Sequence, residues 1–232
     1  MQEAESNSLR VFRSAQLRAS KLLFLARPPL SATSEAAKVY SERIVRLFGD
    51  NEEAAIQYTT YVLADTAQFL NYTVWLAGWS AFETYIQDVL IEVYSQRPEL
   101  LKAEWTITCK EAIENRSNIA SYLIETEVRK LSFRSFSKIN AYLKKNFQCE
   151  LKPNLVKWIE DIYFIRNIIA HANGRMKDNQ VPLLSEHAKV ENKHILIEDG
   201  FADKMLAALL VSAIQVDRHL HQRYLAITGN DA

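Results

Sequence analysis

Glycine and proline are scarce in this chain, which has 5 of each among its 232 residues. Turn signals are therefore few, and this favours long helices joined by a small number of breaks over a sheet of many strands. The hydrophobic share of 48% is enough to bury one extended core. We therefore expect a single all-α domain over residues 1–232, with residues 1–50 as an N-terminal helical extension and residues 51–232 as the main core.

Cysteine is rarer still, since Cys109 and Cys149 are the two in the sequence. The first residues lack the basic and apolar regions of a secretory signal. We therefore expect both cysteines as reduced thiols in the cytoplasm. A long apolar run is also missing, because the uncharged stretch 66–82 is diluted by polar side chains and is shorter than the roughly 18 to 20 residues that a membrane helix needs. No membrane association is expected.

The chain also has no formal net charge, because Lys and Arg total 28 and Asp and Glu also total 28. A polyanionic partner would thus have to be bound by a local patch. The sequence has none of the glycine-rich loops that bind nucleoside triphosphates or dinucleotides. His219 and His221 are two residues apart and so point to different sides of a helix, which argues against a metal site there. We expect no cofactor and no metal.

Apolar periodicity and helix-ending residues divide the chain into six or seven predicted helices. The first is predicted at 8–26, stopped by Pro28 and Pro29, because proline lacks an amide donor and disfavours helix in the residue before it. A long helix is predicted from Glu52 to Gln96, ended by Pro98. Its core face is predicted to carry residues at steps of three, four and seven: Trp75, Phe82, Ile86, Val89 and Val93. The other predicted elements are helices at 34–49, 117–130, 133–146 and 154–172, a hairpin with strands at 188–190 and 195–197, and a last helix at 199–228.

The predicted helix 154–172 carries the strongest chemical signal. Its buried stripe is predicted from residues at steps of three and four, namely Leu155, Trp158, Ile162, Ile165 and Ile169. At roughly 100° per residue, His171 falls about 150° from the centre of this stripe and Arg166 about 70° from it. We therefore expect His171 to face away from the core and Arg166 to lie at the edge of the buried surface, with its guanidinium projecting outward.

An arginine and a histidine five residues apart, with a polar residue after the arginine, form the segment Arg166-Asn167-Ile168-Ile169-Ala170-His171. This segment resembles the Arg-x4-His motif of HEPN domains. These domains are bundles of four or five helices, in which the motif lies near the end of a late helix with one more helix after it. The predicted helix at 199–228 fits that order. The segment 79–86, with Glu83 as its acid, also resembles an early helix of prokaryotic HEPN-like nucleases. The resemblance covers residues 52–228 and implies a helical bundle of the HEPN type with additional N-terminal helices.

The resemblance implies metal-independent cleavage of RNA by a homodimer that brings the Arg-His pairs of two protomers together. In that chemistry His171 exchanges a proton with the ribose 2′-hydroxyl or the leaving 5′-oxygen. Arg166 stabilises the charge that builds up on the phosphate, and Asn167 positions His171 or binds a phosphate oxygen. Only ribose supplies the attacking hydroxyl, so RNA would be cut and DNA would not. The resemblance further implies a toxin or an anti-phage defence effector, with an antitoxin or sensor protein encoded nearby.

Each of these residues also has a plainer interpretation. A solvent-facing histidine at position 171 would complement the dipole at a helix C-terminus. Arg166 would form a structural ion pair, for example with Glu83 or Asp161, and Glu83 itself would be a solvated helix charge. On this alternative the chain is a non-catalytic, HEPN-like interaction or dimerisation module that binds a protein or nucleotide partner.

A second basic feature lies earlier in the chain, where Lys130, Arg134 and Lys138 follow one another at steps of four. On a continuous helix they would form a basic stripe that RNA phosphates can follow. The plainer interpretation is a solvated charged face. Phe133 and Phe136, which lie between them, are expected in the core rather than stacked on bases.

Overall fold

The computed structural model describes residues 5–30, 39, 42–44, 52–101, 106–131, 134–181, 189–198 and 200–225. Within these ranges the helices are α1 (Asn7–Leu30), α2 (Glu52–Gln96), α3 (Cys109–Glu114), α4 (Ile119–Arg129), α5 (Phe136–Phe147), α6 (Pro153–Ala172) and α7 (Phe201–Leu220). A 3-10 turn at Pro98–Leu100 follows α2, and a π-helical turn at His221–Leu225 follows α7. Strands β1 (Lys189–Glu191) and β2 (His194–Leu196) pair in antiparallel fashion. The predicted all-α class, with a small hairpin before the last helix, is confirmed.

Helix α2 begins and ends at the residues predicted from the sequence. All five residues assigned to its core face are buried, with at most 1% of their surface exposed. Tyr85, Leu90 and Tyr94 are buried too. Because these residues lie on other sides of the helix, the second half of α2 is buried on more than one face.

Proline does not end α1 where we predicted, because the helix continues through Pro28 and Pro29 to Leu30. The fixed φ of proline is itself helical, so the ring does not prevent the residue from joining a helix. Its cost, a missing donor and a clash with the preceding turn, falls here on the last turn alone. The predicted helix 34–49 lies largely outside the described residues, of which Val39 and residues 42–44 are helical.

The described residues belong to two compact units. The first comprises those within Met1–Ser14, Trp79–Tyr163 and Ala207–Ala232, and the second those within Ala15–Gly78 and Phe164–Leu206. We call them unit 1 and unit 2. This division does not test the predicted boundary at residue 50, which stays a prediction.

Unit 1 has an aromatic core centred on Phe82. The Phe82 ring centroid lies 6.0 Å from that of Phe12, 6.0 Å from that of Phe136 and 5.9 Å from that of Trp79. All four side chains are buried. Tilted aromatic pairs at these separations each stabilise a core by about 0.5 to 1.5 kcal/mol beyond the burial of their area.

One buried and one half-buried carboxylate hold the start of α1 within unit 1. Asp217 is buried and accepts hydrogen bonds from the backbone N of Ser6, at 3.2 Å, and from its hydroxyl. The same hydroxyl accepts from the backbone N of Leu9 at 3.0 Å, so Ser6 is also the N-cap of α1. Glu92 accepts from the backbone N and hydroxyl of Ser8, at 3.1 and 2.8 Å. The first turn of α1 is thus attached to acidic groups far away in sequence.

Unit 1 also contains both cysteines, which are free. Cys109, the first residue of α3, is exposed, whereas Cys149 is buried. Burial raises the pKa of the Cys149 thiol to about 11. The neutral thiol is therefore its form at neutral pH.

Unit 2 has an apolar core of its own, in which the ring centroids of Trp75 and Phe201 are 5.2 Å apart. Ile165 and Ile168 from α6 are buried in this unit, as is Ile195 from β2. None of the helices that the structure describes is long and apolar enough to cross a membrane.

Candidate functional site

The predicted motif lies in the last two turns of α6, which ends at Ala172 as the sequence predicts. Ile162, Ile165 and Ile169 are buried as predicted, while Leu155 and Trp158, at the start of the stripe, are half-buried. Ile168 is also buried, with 4% of its surface exposed. Ile168 and Ile169, which lie between Arg166 and His171, therefore attach this end of α6 to the core of unit 2.

Arg166 and Asn167 form a hydrogen-bonded pair at the edge of the buried surface. Both side chains are half-buried. Nη1 of Arg166 donates to Oδ1 of Asn167 at 3.0 Å. This bond uses one of the five N–H donors that a guanidinium carries, and it restrains the orientation of the whole planar group. Asn167 thus positions the arginine.

His171 is exposed in the last turn of α6. It follows Arg166 by five residues, so the two side chains leave the helix about 140° apart and about 7.5 Å apart along its axis. The two side chains of one helix therefore diverge.

The chain turns sharply directly after the motif. Asn173 and Gly174 have φ values of 49° and 80°, in the left-handed region that ends helices. The backbone N of Gly174 donates to the carbonyl of Ile168 at 3.2 Å. Position 174 also lacks room for a side chain, because a Cβ there would overlap the phenol of Tyr72. Glycine is required here for both reasons.

The segment after the turn pairs with the hairpin. The backbone N of Met176 donates to the carbonyl of Lys193 at 2.7 Å, and that of Ile195 donates to the carbonyl of Gly174 at 2.9 Å. Arg175 lies opposite His194 in this pairing. Residues 174–176 therefore extend the hairpin by a short third segment, which joins it to the end of the motif helix.

Polar side chains on one face of α2 hold the hairpin in place. Oη of Tyr72 donates to the carbonyl of Ile195 at 2.6 Å, and Nε2 of Gln68 donates to the same carbonyl at 3.4 Å. Nδ2 of Asn71 donates to the carbonyl of Ile197 at 3.1 Å. Burial raises the pKa of the Tyr72 phenol. The neutral phenol is thus favoured and keeps its proton for this bond.

A cleft of about 500 Å³ opens where the motif helix meets the hairpin. We call it the post-motif cleft, and the described residues that line it are Ala172, Arg175, Met176, Lys177, Asp178 and Lys193. Nζ of Lys193 lies 2.9 Å from Oδ1 of Asp178. Three cations thus face one carboxylate. The sequence pattern gave no sign of this cleft, because Arg175 and Lys193 are 18 positions apart and the hairpin pairing brings them to it.

Glu83 and the predicted basic stripe belong to unit 1. Glu83 is half-buried on α2. The continuous helix on which the stripe depended is not present, because α4 ends at Arg129 and α5 begins at Phe136. Lys130 instead forms an ion pair with Glu127, with 3.0 Å between Nζ and Oε2. The three basic residues therefore do not share one helix, and RNA contact by Lys130, Arg134 or Lys138 stays a prediction.

Comparison with known protein families, with curated proteins and with solved structures found no match to this chain. The resemblance to HEPN domains therefore depends on the residues of the motif and on the order of the helices, and it stays a prediction.

Proposed function

We propose that this chain is a metal-independent endoribonuclease of the HEPN type, with His171, Arg166 and Asn167 as its functional residues. The observation that carries the proposal is the exposed His171 in the last turn of α6, about 1.4 turns beyond a guanidinium held by Asn167. These groups match the chemistry of phosphodiester cleavage in RNA. A histidine moves protons near neutral pH, and an arginine stabilises phosphoryl charge.

In the proposed reaction, His171 takes the proton of a ribose 2′-hydroxyl. The 2′-oxygen then bonds to the adjacent phosphorus, the bond from phosphorus to the 5′-oxygen breaks, and this oxygen takes a proton from water. Arg166 binds the non-bridging oxygens while their charge grows. The products are a 2′,3′-cyclic phosphate and a 5′-hydroxyl end.

The proposed active site is shared between two protomers, because the two side chains diverge by about 140° around α6. On this arrangement, His171 of one protomer and Arg166 of the partner subunit contact the same phosphate. A homodimer has two such sites. By analogy with the family, the protein acts as a toxin or an anti-phage defence effector that a neighbouring antitoxin or sensor protein restrains.

The cleavage test incubates the purified protein with total RNA in EDTA. The wild-type chain should produce 2′,3′-cyclic phosphate ends, and His171→Ala should lower the rate by about 100-fold or more. Arg166→Lys keeps the charge but loses the planar fork, so it too should be impaired. Lys152→Ala, which removes an exposed cation at the start of α6, is the matched control. RNA left intact by the wild-type chain, or cut equally well by His171→Ala, would favour the non-catalytic interaction module.

Mixing two inactive variants tests the shared site. Equal amounts of Arg166→Ala and His171→Ala, unfolded and refolded together, should recover about a quarter of the wild-type activity, because half of the dimers then carry one intact site of two. No recovery in a mixture that forms dimers would show that each site uses the residues of one chain. Expression of the wild-type chain should slow cell growth, and expression of His171→Ala should not.

A further inference from the structure

The post-motif cleft begins at Ala172, the residue next to the proposed catalytic His171. Its described lining contains three cations, Arg175, Lys177 and Lys193, and one carboxylate, that of Asp178. Arg175 and Lys177 are exposed. A concave surface with this excess of positive charge attracts an anion.

The cleft is held in shape before any ligand arrives. Two backbone hydrogen bonds join its two sides, from Met176 to Lys193 at 2.7 Å and from Ile195 to Gly174 at 2.9 Å. Asn192 and Lys193 both have positive φ, at 48° and 65°, which is the tight hairpin turn whose twist suits the strands. A ligand would therefore not have to order the backbone around it, and the entropic cost of binding is lowered.

The chemistry of the lining selects the class of ligand. Arginine and lysine side chains bind phosphate oxygens. None of the six described residues that line the cleft is aromatic, so it offers no platform on which a base would stack. The contacts favour a backbone phosphate over a base, and phosphate contacts position a strand without reading its sequence.

We infer that the post-motif cleft binds a phosphate of a single RNA strand, next to the phosphate at which His171 acts. This inference rests on the proposed function, since it makes the cleft the part of the substrate site that aligns the strand. Asp178 lowers the affinity of the cleft for phosphate. Its carboxylate forms an ion pair with the Lys193 ammonium, and it also repels the negative charge of phosphate. The side chain of Asp178 is 82% exposed, so its replacement removes little packing.

Binding is measured separately from cleavage, in a His171→Ala background and in EDTA. A fluorescein-labelled single-stranded oligoribonucleotide of mixed sequence is titrated with protein at several KCl concentrations, and anisotropy gives Kd. Adding Arg175→Ala and Lys177→Ala together should weaken binding by roughly tenfold and reduce the salt slope by about 0.7 for each phosphate that the variant no longer neutralises. The matched control, Lys152→Ala with Lys157→Ala, removes two exposed cations from the start of α6 and should leave both quantities unchanged.

Asp178→Asn sharpens the test, because it should act in the opposite direction. Removing this carboxylate should tighten binding by roughly threefold, since the Lys193 ammonium becomes available to phosphate. Weaker binding by Asp178→Asn, or equal losses in the Arg175/Lys177 variant and in the control, would overturn the assignment. A DNA strand of the same sequence should lose the same factor in the Arg175/Lys177 variant, because the cleft contacts phosphate alone. An effect confined to RNA would contradict a phosphate site.

Inorganic phosphate is the probe for a free-anion site. At matched ionic strength it should displace the oligonucleotide no better than chloride does. Displacement by phosphate that depends on Arg175 and Lys177 would assign the cleft to a free anion and overturn the RNA assignment. The two proposals fail in different ways: binding that needs Arg175 and Lys177, without cleavage by the wild-type chain, supports the cleft and overturns the nuclease. Cleavage by the wild-type chain, together with binding that is unchanged in the Arg175/Lys177 variant, supports the nuclease and overturns the cleft.

Discussion

Titratable side chains have contrasting surroundings at two places in the molecule. In unit 1, Asp217 and Glu127 are buried and accept hydrogen bonds from Ser6 and Tyr142. In unit 2, the side chains at and after the end of α6 are exposed, as with His171, Arg175 and Lys177.

This contrast separates structural charge from charge that can meet a ligand. A buried carboxylate has lost its hydration and is stable only with its hydrogen-bond donors in place, so its removal should reduce folding stability. An exposed cation keeps its hydration, and its removal should change binding while stability stays the same. Four sets of substitutions test how far the contrast extends.

The largest loss of stability is expected at Asp217, which is one of the buried carboxylates. Asp217→Ala leaves the backbone N and hydroxyl of Ser6 without their acceptor, which should lower the free energy of unfolding by about 3 kcal/mol. Urea-induced unfolding measures this change. Asp217→Asn keeps one acceptor oxygen and should lose less. His171→Ala, at the exposed end, should stay within about 0.5 kcal/mol of the wild-type chain. Equal losses at Asp217 and His171 would remove the contrast.

Substitution of Gly174 tests how much the close contact with Tyr72 contributes to the stability of the turn after α6. Gly174→Ala places a Cβ against Tyr72, breaks its bond to Ile195 and strains a φ of 80°, which should cost about 2 to 3 kcal/mol. Gly200→Ala is the matched control, because its φ is 82° but, chain neighbours apart, no described residue has an atom within 4 Å of the added Cβ. It should cost only the backbone strain of about 1 kcal/mol. Thermal unfolding of the two variants separates the clash from the strain, and equal losses would mean that the Tyr72 contact is unimportant.

A smaller effect is expected at Tyr142, where one hydroxyl links two buried groups. Oη of Tyr142 donates to Oε1 of Glu127 at 3.0 Å and lies 2.5 Å from Oη of Tyr94. Burial, with the bond to Tyr94, raises the pKa of Tyr142, so the phenol keeps the proton that it donates. Tyr142→Phe should lower the free energy of unfolding by about 1.5 kcal/mol.

Tyr122 supplies a counterpart of Tyr142 whose acceptor is more open to solvent. Its phenol donates to Oε1 of Glu111 at 2.7 Å, and Glu111 is half-buried, whereas Glu127 is buried. Tyr122→Phe should therefore destabilise less than Tyr142→Phe, because water replaces the missing bond. Chemical unfolding of the two variants side by side makes the comparison, and a larger loss at Tyr122 would contradict it.

The smallest effect is expected for an exposed ion pair within unit 1. Nζ of Lys144 lies 2.6 Å from Oε1 of Glu150, with 59% and 61% of the two side chains exposed. A double-mutant cycle with Lys144→Ala and Glu150→Ala should give a coupling energy of no more than about 0.5 kcal/mol, because solvent screens the pair. A coupling energy as large as the loss at Tyr142 would show that exposure does not decide the contribution of a charge in this chain.

The pattern of neighbouring residues was sufficient to predict the bounds of α2 and α6. Helix α2 ends before Pro98 and α6 ends before Asn173-Gly174, as predicted, because the stop signals and the apolar period are both written in neighbouring residues. The hairpin turn at Asn192-Lys193 was also within the predicted segment. The exposure of His171 and the edge position of Arg166 follow from the same periodicity.

Local pattern did not show which charged side chains would be buried. The separate helices predicted at 117–130 and 133–146 correspond to α4 and α5, and the break between them keeps Lys130 and Lys138 from sharing one helix. Periodicity gave no sign, however, that Asp217, on an amphipathic helix, would be buried and hydrogen-bonded to Ser6.

The sequence by itself determined the helical class, the bounds of α2 and α6, the hairpin and the placement of the Arg-Asn-His motif, because these depend on residues within a few turns of one another. Only the tertiary structure decided which charges are buried and which line the post-motif cleft. Backbone hydrogen bonds from Met176 to Lys193 and from Ile195 to Gly174 bring Arg175 and Lys193 to the same cleft, and Tyr72 holds the hairpin from another helix. Such contacts join residues distant in sequence, and their formation depends on the packing of the whole core.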